Sequence, residues 1–193
     1  PYDVMQDCLE EDRLQGKKFG STRRGIGPVY SDKYMKKTVH MGDLIYSTTL
    51  EQKVRDLVEW KNLLFKSYGV EINVDEMIDY LKTYGKEFVP YVRDTNAFLK
   101  QAQKEKKNIM FEAQLGALKD IDFGITPYTS SSNVISAYAP IGSGCPSLKL
   151  DSVIGIVKAY SSAVGEGPFV CEMFGDEAEF LRQAGGEYGA ATG

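Results

Sequence analysis

The sequence has 193 residues, 42% of them hydrophobic and 26% charged, with a formal net charge of −4. That balance is ordinary for a soluble globular chain of one domain, and it argues against a broad nucleic-acid-binding face. Apolar runs such as Val153–Val157 are far too short to span a bilayer, and no signal peptide is legible at the start. Three widely spaced cysteines, Cys8, Cys145 and Cys171, predict reduced thiols and a cytoplasmic setting.

Along the chain, Val4, Met5, Cys8 and Leu9 recur at helical spacing over Tyr2–Leu14, with Asp3 as a cap and Gly16 as a stop. A loop with three glycines in eight residues follows, Gly20-Ser-Thr-Arg-Arg-Gly-Ile-Gly27, then the basic stretch Lys33, Lys36, Lys37. Thr48 and Glu51 are spaced as a capping box ahead of the apolar face Leu50, Val54, Leu57, Val58, Leu64. Asn73 and Glu76 repeat that pattern before a shorter helix closed by Gly85. Val89–Lys107 predicts a third helix with Pro90 in its first turn, and Asn108–Phe111 has strand character. Residues 112–150 are rich in Gly, Ser, Pro and Ala, which predicts long loops that carry function. Asp151–Tyr160 reads as a buried helix or strand, and 175–184 as a short amphipathic helix. The balance predicts an α/β protein: a helical lobe over 34–107, set between 1–33 and 108–193, which together form a ligand platform.

Two segments carry donors suited to an anion. In Gly20–Lys33, glycines let the backbone approach a ligand, and Ser21, Thr22, Arg23 and Arg24 add hydroxyls and guanidinium forks. The loop is neither a Walker loop nor a dinucleotide fingerprint, because no Gly-Lys-Ser/Thr follows and no apolar strand precedes it. The other segment, Tyr128-Thr-Ser-Ser-Ser-Asn133, offers four consecutive hydroxyls that serve equally as a helix cap or a phosphate grip. Glu112, Asp120 and Asp122 cluster within eleven residues, but without the spacing of a calcium loop, and surface carboxylates are common. Cys145 in Gly142-Ser-Gly-Cys-Pro has His40 as its sole possible imidazole partner, more than a hundred residues away.

Taken together these segments resemble the adenylosuccinate synthetase family. Its Gly-Thr-Thr-Gly-Arg-Gly-Ile-Gly-Pro-x-Tyr-x-Asp-Lys motif is similar to Gly20–Lys33, and its Phe-Glu-Gly-Ala-Gln-Gly…Pro-Tyr-x-Thr-Ser-Ser-Asn stretch to Phe111–Asn133. Its Ala-Tyr-x-x-x-Val-Gly-x-Gly-Pro-Phe resembles Ala159–Phe169, and its Glu-Phe-Gly-Ala-Thr-Thr-Gly resembles Glu187–Gly193. The resemblance implies a fragment of a mixed sheet like that of P-loop NTPases, with a mainly helical lobe inserted. It implies formation of adenylosuccinate from IMP, L-aspartate and GTP with magnesium, in AMP biosynthesis. The γ-phosphate first activates the purine 6-oxo group, and the aspartate amine then displaces it.

Residue by residue, the resemblance makes Thr22 and Ser130 IMP-phosphate hydroxyls. Lys36 stands for an arginine that reaches the neighbouring subunit of a homodimer. The IMP-contacting glutamine aligns with Leu115, with Gln114 one residue away. Ala191, Thr192 and Gly193 fall on the aspartate loop, where Ala191 replaces a threonine. Ala163 stands where arginine is usual and Phe123 where histidine is common. The family's catalytic phosphate loop, its Gly-His-Thr and its guanine-recognition segment have no counterpart in the 193 residues. No catalytic residue, metal ligand, GTP or Mg2+ is therefore expected on this chain alone. Pro1 in place of an initiating Met, and an end within a Gly/Thr-rich loop, predict a piece of a longer protein. The competing reading is a non-catalytic module that binds a phosphometabolite or serves assembly on the same scaffold.

Overall fold

The computed structural model describes residues 1–113 and 115–186. Among them seven α-helices form: α1 (Tyr2–Leu14), α2 (Ile26–Tyr34), α3 (Ser47–Phe65), α4 (Val74–Gly85), α5 (Thr95–Lys104), the single turn α6 (Ala139–Gly142) and α7 (Asp176–Gly185). Asn73 caps α4 as its spacing predicts, accepting from the N–H groups of Asp75 at 3.0 Å and Glu76 at 3.3 Å. The Thr48–Glu51 box is not used. α3 begins one residue before Thr48, and Glu51 instead accepts from Lys82 of α4. The expected helix over 89–107 breaks into a turn at Val89–Tyr91 and α5, which starts behind an Asp94 cap.

The core lies between α3 and α4. Leu50, Val54, Val58 and Phe65 line one face of α3 at helical spacing and meet Ile72 and Ile78, with Tyr2 and Leu9 of α1 packed against them. Each fully buried side chain of this kind contributes roughly 1.5–3 kcal/mol. Asn62 ties the α3–α4 connection by a reciprocal pair, donating to Ile72 O at 3.3 Å and accepting from Ile72 N at 2.8 Å.

Lys61 sits on the same inward face of α3 at 3% exposure. Its ammonium lies 3.0 Å from Asp3 of α1 and 2.7 Å from Asp32 of α2, and donates to Gln6 at 2.9 Å. One buried cation thus binds the first two helices to the third.

The mixed-sheet fragment expected from the sequence is absent: none of the described residues lies in a strand. Asn108–Phe111 and Val153–Val157 have no regular structure, with Met110 87% and Ile156 95% exposed. A helix closes its hydrogen bonds within itself, whereas a strand exists only against a partner ladder, so β-branched content alone cannot make one. The described fold is helical with long loops.

Candidate functional site

The glycine–arginine loop rests on α1. Asp7 and Glu11 are one helical turn apart, so both carboxylates emerge on the face that the loop covers, and both are buried. Glu11 Oε1 accepts from Gly20 N at 2.9 Å and Ser21 N at 3.3 Å. Asp7 accepts from the Ser21 hydroxyl at 2.5 Å and from Gly25 N at 2.9 Å. The backbone donors that the sequence offered to a ligand are therefore largely taken from behind. Gly25, at φ 78°, turns the chain into α2 in the left-handed region. Arg23 pairs with Asp12 at 2.7 Å, whereas Thr22 and Arg24 are exposed and make no side-chain hydrogen bond among the described residues.

The hydroxyl segment is built around Asp120, which is fully buried. One carboxylate oxygen accepts from Asp122 N at 2.9 Å and Phe123 N at 3.2 Å, and the other from Val134 N at 2.6 Å and Ile135 N at 3.4 Å. Ser130 N donates to Lys119 O at 2.8 Å and Ile121 N to Ser132 O at 3.2 Å, laying 130–132 along 119–121. The Ser130 and Ser132 hydroxyls are 3.1 Å apart, and Lys119 Nζ ties down Tyr128 O at 3.0 Å.

Three distant segments converge here. A methyl on Gly20 would strike the backbone of Gly165 and Glu166, and one on Gly167 would strike the Tyr128 ring. Gly27, in the first turn of α2, faces Ser131 Oγ, 3.4 Å from where a Cβ would stand. Tyr30 of α2 and Ser132, next to Ser131, help to line an open cavity of about 300 Å³ with Phe111, Asn133, Tyr138 and Ser143; Thr22 and Ser130 are not part of its wall.

Of the residues singled out in the sequence, Thr22 and Ser130 lie on segments that the fold brings into contact. Lys36 is exposed with φ 61° just past the end of α2, whereas Thr22 precedes its start. Nine helical residues separate them by about 13 Å, so the two do not meet at one end of the helix. Gln114, Ala191, Thr192 and Gly193 lie outside the described residues, and Leu115 beside Gln114 is 63% exposed at φ 70°.

The acidic trio does not fit a hard cation. Asp120 is spent on backbone N–H groups, and Asp122 accepts from Asn133 Nδ2 at 2.6 Å. No group of three His, Cys, Asp or Glu side chains converges on a metal position among the described residues. Cys145 is fully buried, 3.7 Å from Ser147 Oγ, while His40 sits by Asp43 at the start of a short turn over Met41–Ile45. Sequence reasoning missed Asp7 and Glu11. Their i, i+4 spacing on the apolar side of α1 was the available signal.

Burial pushes the Asp120 carboxyl up, but N–H groups from Val134, Asp122, Phe123 and Ile135 outweigh it and hold the group below the usual carboxylate range. With the folded value below the unfolded one, this carboxylate contributes stability above about pH 4 that is lost as pH falls through its folded value. Urea midpoints measured from pH 7 to pH 2 are expected to be flat at first and to fall steeply below about pH 4. Asp120→Asn should remove part of that slope. An unchanged slope in the variant would show that other carboxylates set the acid limit.

The sequence model of the adenylosuccinate synthetase family matches residues 1–193. Adenylosuccinate synthetase of Brachyspira hyodysenteriae is 43% identical over 195 aligned positions, covering 100% of this chain and 46% of that protein. The enzyme of Symbiobacterium thermophilum is 42% identical, covering 100% and 45%. A solved structure of fully ligated adenylosuccinate synthetase from Plasmodium falciparum superposes with a TM-score of 0.91 at 30% identity, over 99% of this chain and 45% of that one. The chain thus spans under half the length of these relatives. On a family match over every residue, supported by close sequence relatives and a shared fold, the chain belongs to the adenylosuccinate synthetase family.

Proposed function

We propose that these residues form the central, IMP-binding portion of a longer synthetase that joins IMP to L-aspartate with GTP and magnesium in AMP biosynthesis in the cytoplasm. The observation that carries this reading is the meeting of the Thr22 loop and the Ser130 segment through Gly27 and Ser131, beside a cavity open to solvent. Thr22 and Ser130 supply hydroxyl donors for the 5′-phosphate, and the exposed Arg24 guanidinium supplies positive charge on the same loop. Gln114 contacts the purine and 191–193 serve aspartate. GTP and magnesium are held by parts of a longer protein, so the isolated chain does not turn over.

Lys36, at the far end of α2 from Thr22, serves the site of a second copy in a homodimer. Lysine keeps the charge there but loses the planar two-pronged grip of arginine.

In the full-length synthetase carrying this segment, Thr22→Ala is expected to raise KM for IMP about tenfold, the equivalent of about 1.4 kcal/mol, with KM for GTP unchanged within twofold. An unaltered KM for IMP would sink the assignment. Phosphate release from GTP by the 193 residues alone would sink the claim that the chain is inactive by itself.

A further inference from the structure

Both loops of the proposed phosphate site are secured from the side away from solvent, and in each case by a buried carboxylate. Asp7 is 7% exposed and Asp120 is 0% exposed. Asp7 Oδ2 receives Gly25 N and Asp7 Oδ1 the Ser21 hydroxyl, so one side chain fixes both flanks of Thr22. Glu11 completes that hold through Gly20 N and Ser21 N. Asp120 spans two segments: its N–H donors come from 122–123 on one side and from 134–135 on the other, with Ser130 and Ser132 between them. Asn133 adds a longer contact to Asp120 at 3.4 Å.

Glycine-rich and hydroxyl-rich loops commonly bind phosphate through free backbone N–H groups. In this chain the N–H groups of Gly20, Ser21, Gly25, Val134 and Ile135 already face carboxylates. A carboxylate accepting several N–H bonds is a stiff anchor, because each charge-assisted bond is stronger than a neutral one. It also leaves those donors unable to turn toward an anion.

We propose that Asp7 and Asp120 are positioning residues for the phosphate grip, holding the Thr22 loop and the Ser130–Ser132 segment from behind, so that the anion is gripped by side-chain hydroxyls and cations. This rests on the IMP-binding reading above. It assigns the loops' geometry to two carboxylates that never touch the ligand. Pre-organisation of this kind appears as affinity, because loops already in the bound shape lose less freedom when the ligand arrives.

The test uses the full-length synthetase and compares Asp7→Asn, Asp120→Asn, Thr22→Ala and Val54→Ala. Asparagine keeps the shape of aspartate but replaces one accepting oxygen with a donor, which faces the loop's own N–H groups. Val54 lies fully buried in the α3 core, away from both loops, and its truncation reports what loss of stability alone does to the kinetics. Asp7→Asn and Asp120→Asn are expected to raise KM for IMP at least fivefold, with KM for GTP and for aspartate within twofold. Val54→Ala should lower Tm and leave all three within twofold. A KM for IMP within twofold in either carboxylate variant removes that residue from the proposal, and in both overturns it. Equal rises in all three KM values, matched by Val54→Ala, overturn it too, since they mark a merely structural role. Should Asp120→Asn fail to fold, Asp7→Asn decides the matter for the loop on α1. A Thr22→Ala variant with no effect on KM for IMP instead removes the functional reading, and this inference falls with it.

Discussion

Lys61→Ala is expected to cost about 3–5 kcal/mol of folding stability, the range seen when one partner of a buried ion pair is removed. The ammonium is 3% exposed and is shared by Asp3, Asp32 and Gln6 on two other helices. Its loss leaves Asp32, itself buried, without its cation, and desolvation of that charge is no longer offset. Core truncation adds to this, because the lysine stem packs on the inward face of α3. By contrast, Arg55–Asp75 is an exposed pair between the start of α4 and α3, and its removal should cost under about 1 kcal/mol. Urea unfolding of the two variants side by side checks both values. A Lys61→Ala cost near that of the surface pair would mean that the buried network is solvated in the native protein. Pairing Lys61→Met with Asp32→Asn should recover part of the loss, since it removes the buried carboxylate that would be left unpaired and leaves only the partly exposed Asp3 without its cation.

Gly25→Ala is expected to destabilise by about 3 kcal/mol and to weaken IMP binding together with stability. Two separate effects add. Residue 25 has φ 78°, where an alanine costs on the order of 1 kcal/mol. The new methyl would also stand 2.7 Å from Asp3 C and Val4 N, backbone atoms of α1 that cannot move without shifting the helix. Because Gly25 N is a ligand of Asp7 and Gly25 opens α2, relief of that clash displaces the Thr22 loop. Gly16→Ala is the control, since nothing lies within 4 Å of a methyl there. Thermal unfolding of the two variants decides it. A Gly25→Ala Tm equal to that of Gly16→Ala would show that α1 and α2 are not in close contact at this point.

The helices were legible where apolar spacing was regular, although two local cap signals, Asp3 and the Thr48–Glu51 box, are not used as caps by α1 and α3. Tyr2–Leu14 emerged with the bounds its spacing implied, and Asn73 caps α4 because the cap and its receivers lie three residues apart. Where pairing decides, the letters say less: Asn108–Phe111 has strand character and Asp151–Tyr160 reads as a buried helix or strand, yet neither forms a regular element. Val153–Val157 has the composition of a buried strand, but pairing depends on chain far away, which composition does not record. At the site, the sequence named both loops and left out what holds them. A glycine loop shows its own flexibility in its letters; that Asp7 and Glu11 occupy its donors is a tertiary fact. Asp120 reads in sequence as one of several surface carboxylates, and its burial among backbone N–H groups has no local signature, since an exposed carboxylate and one that organises a turn look alike in sequence.

The uncovered stretch near residue 155 has a practical consequence for handling the polypeptide. Ile154, Ile156 and Val157 are 84%, 95% and 87% exposed, on a run that lacks proline and has a single charge-bearing neighbour on each side, Asp151 and Lys158. Short β-branched segments with unmet backbone donors and little charge are templates for intermolecular cross-β stacking. Preparations of these 193 residues alone should therefore tend toward concentration-dependent fibrils or inclusion bodies. A lysine at position 156 is the natural gatekeeper with which to keep it in solution.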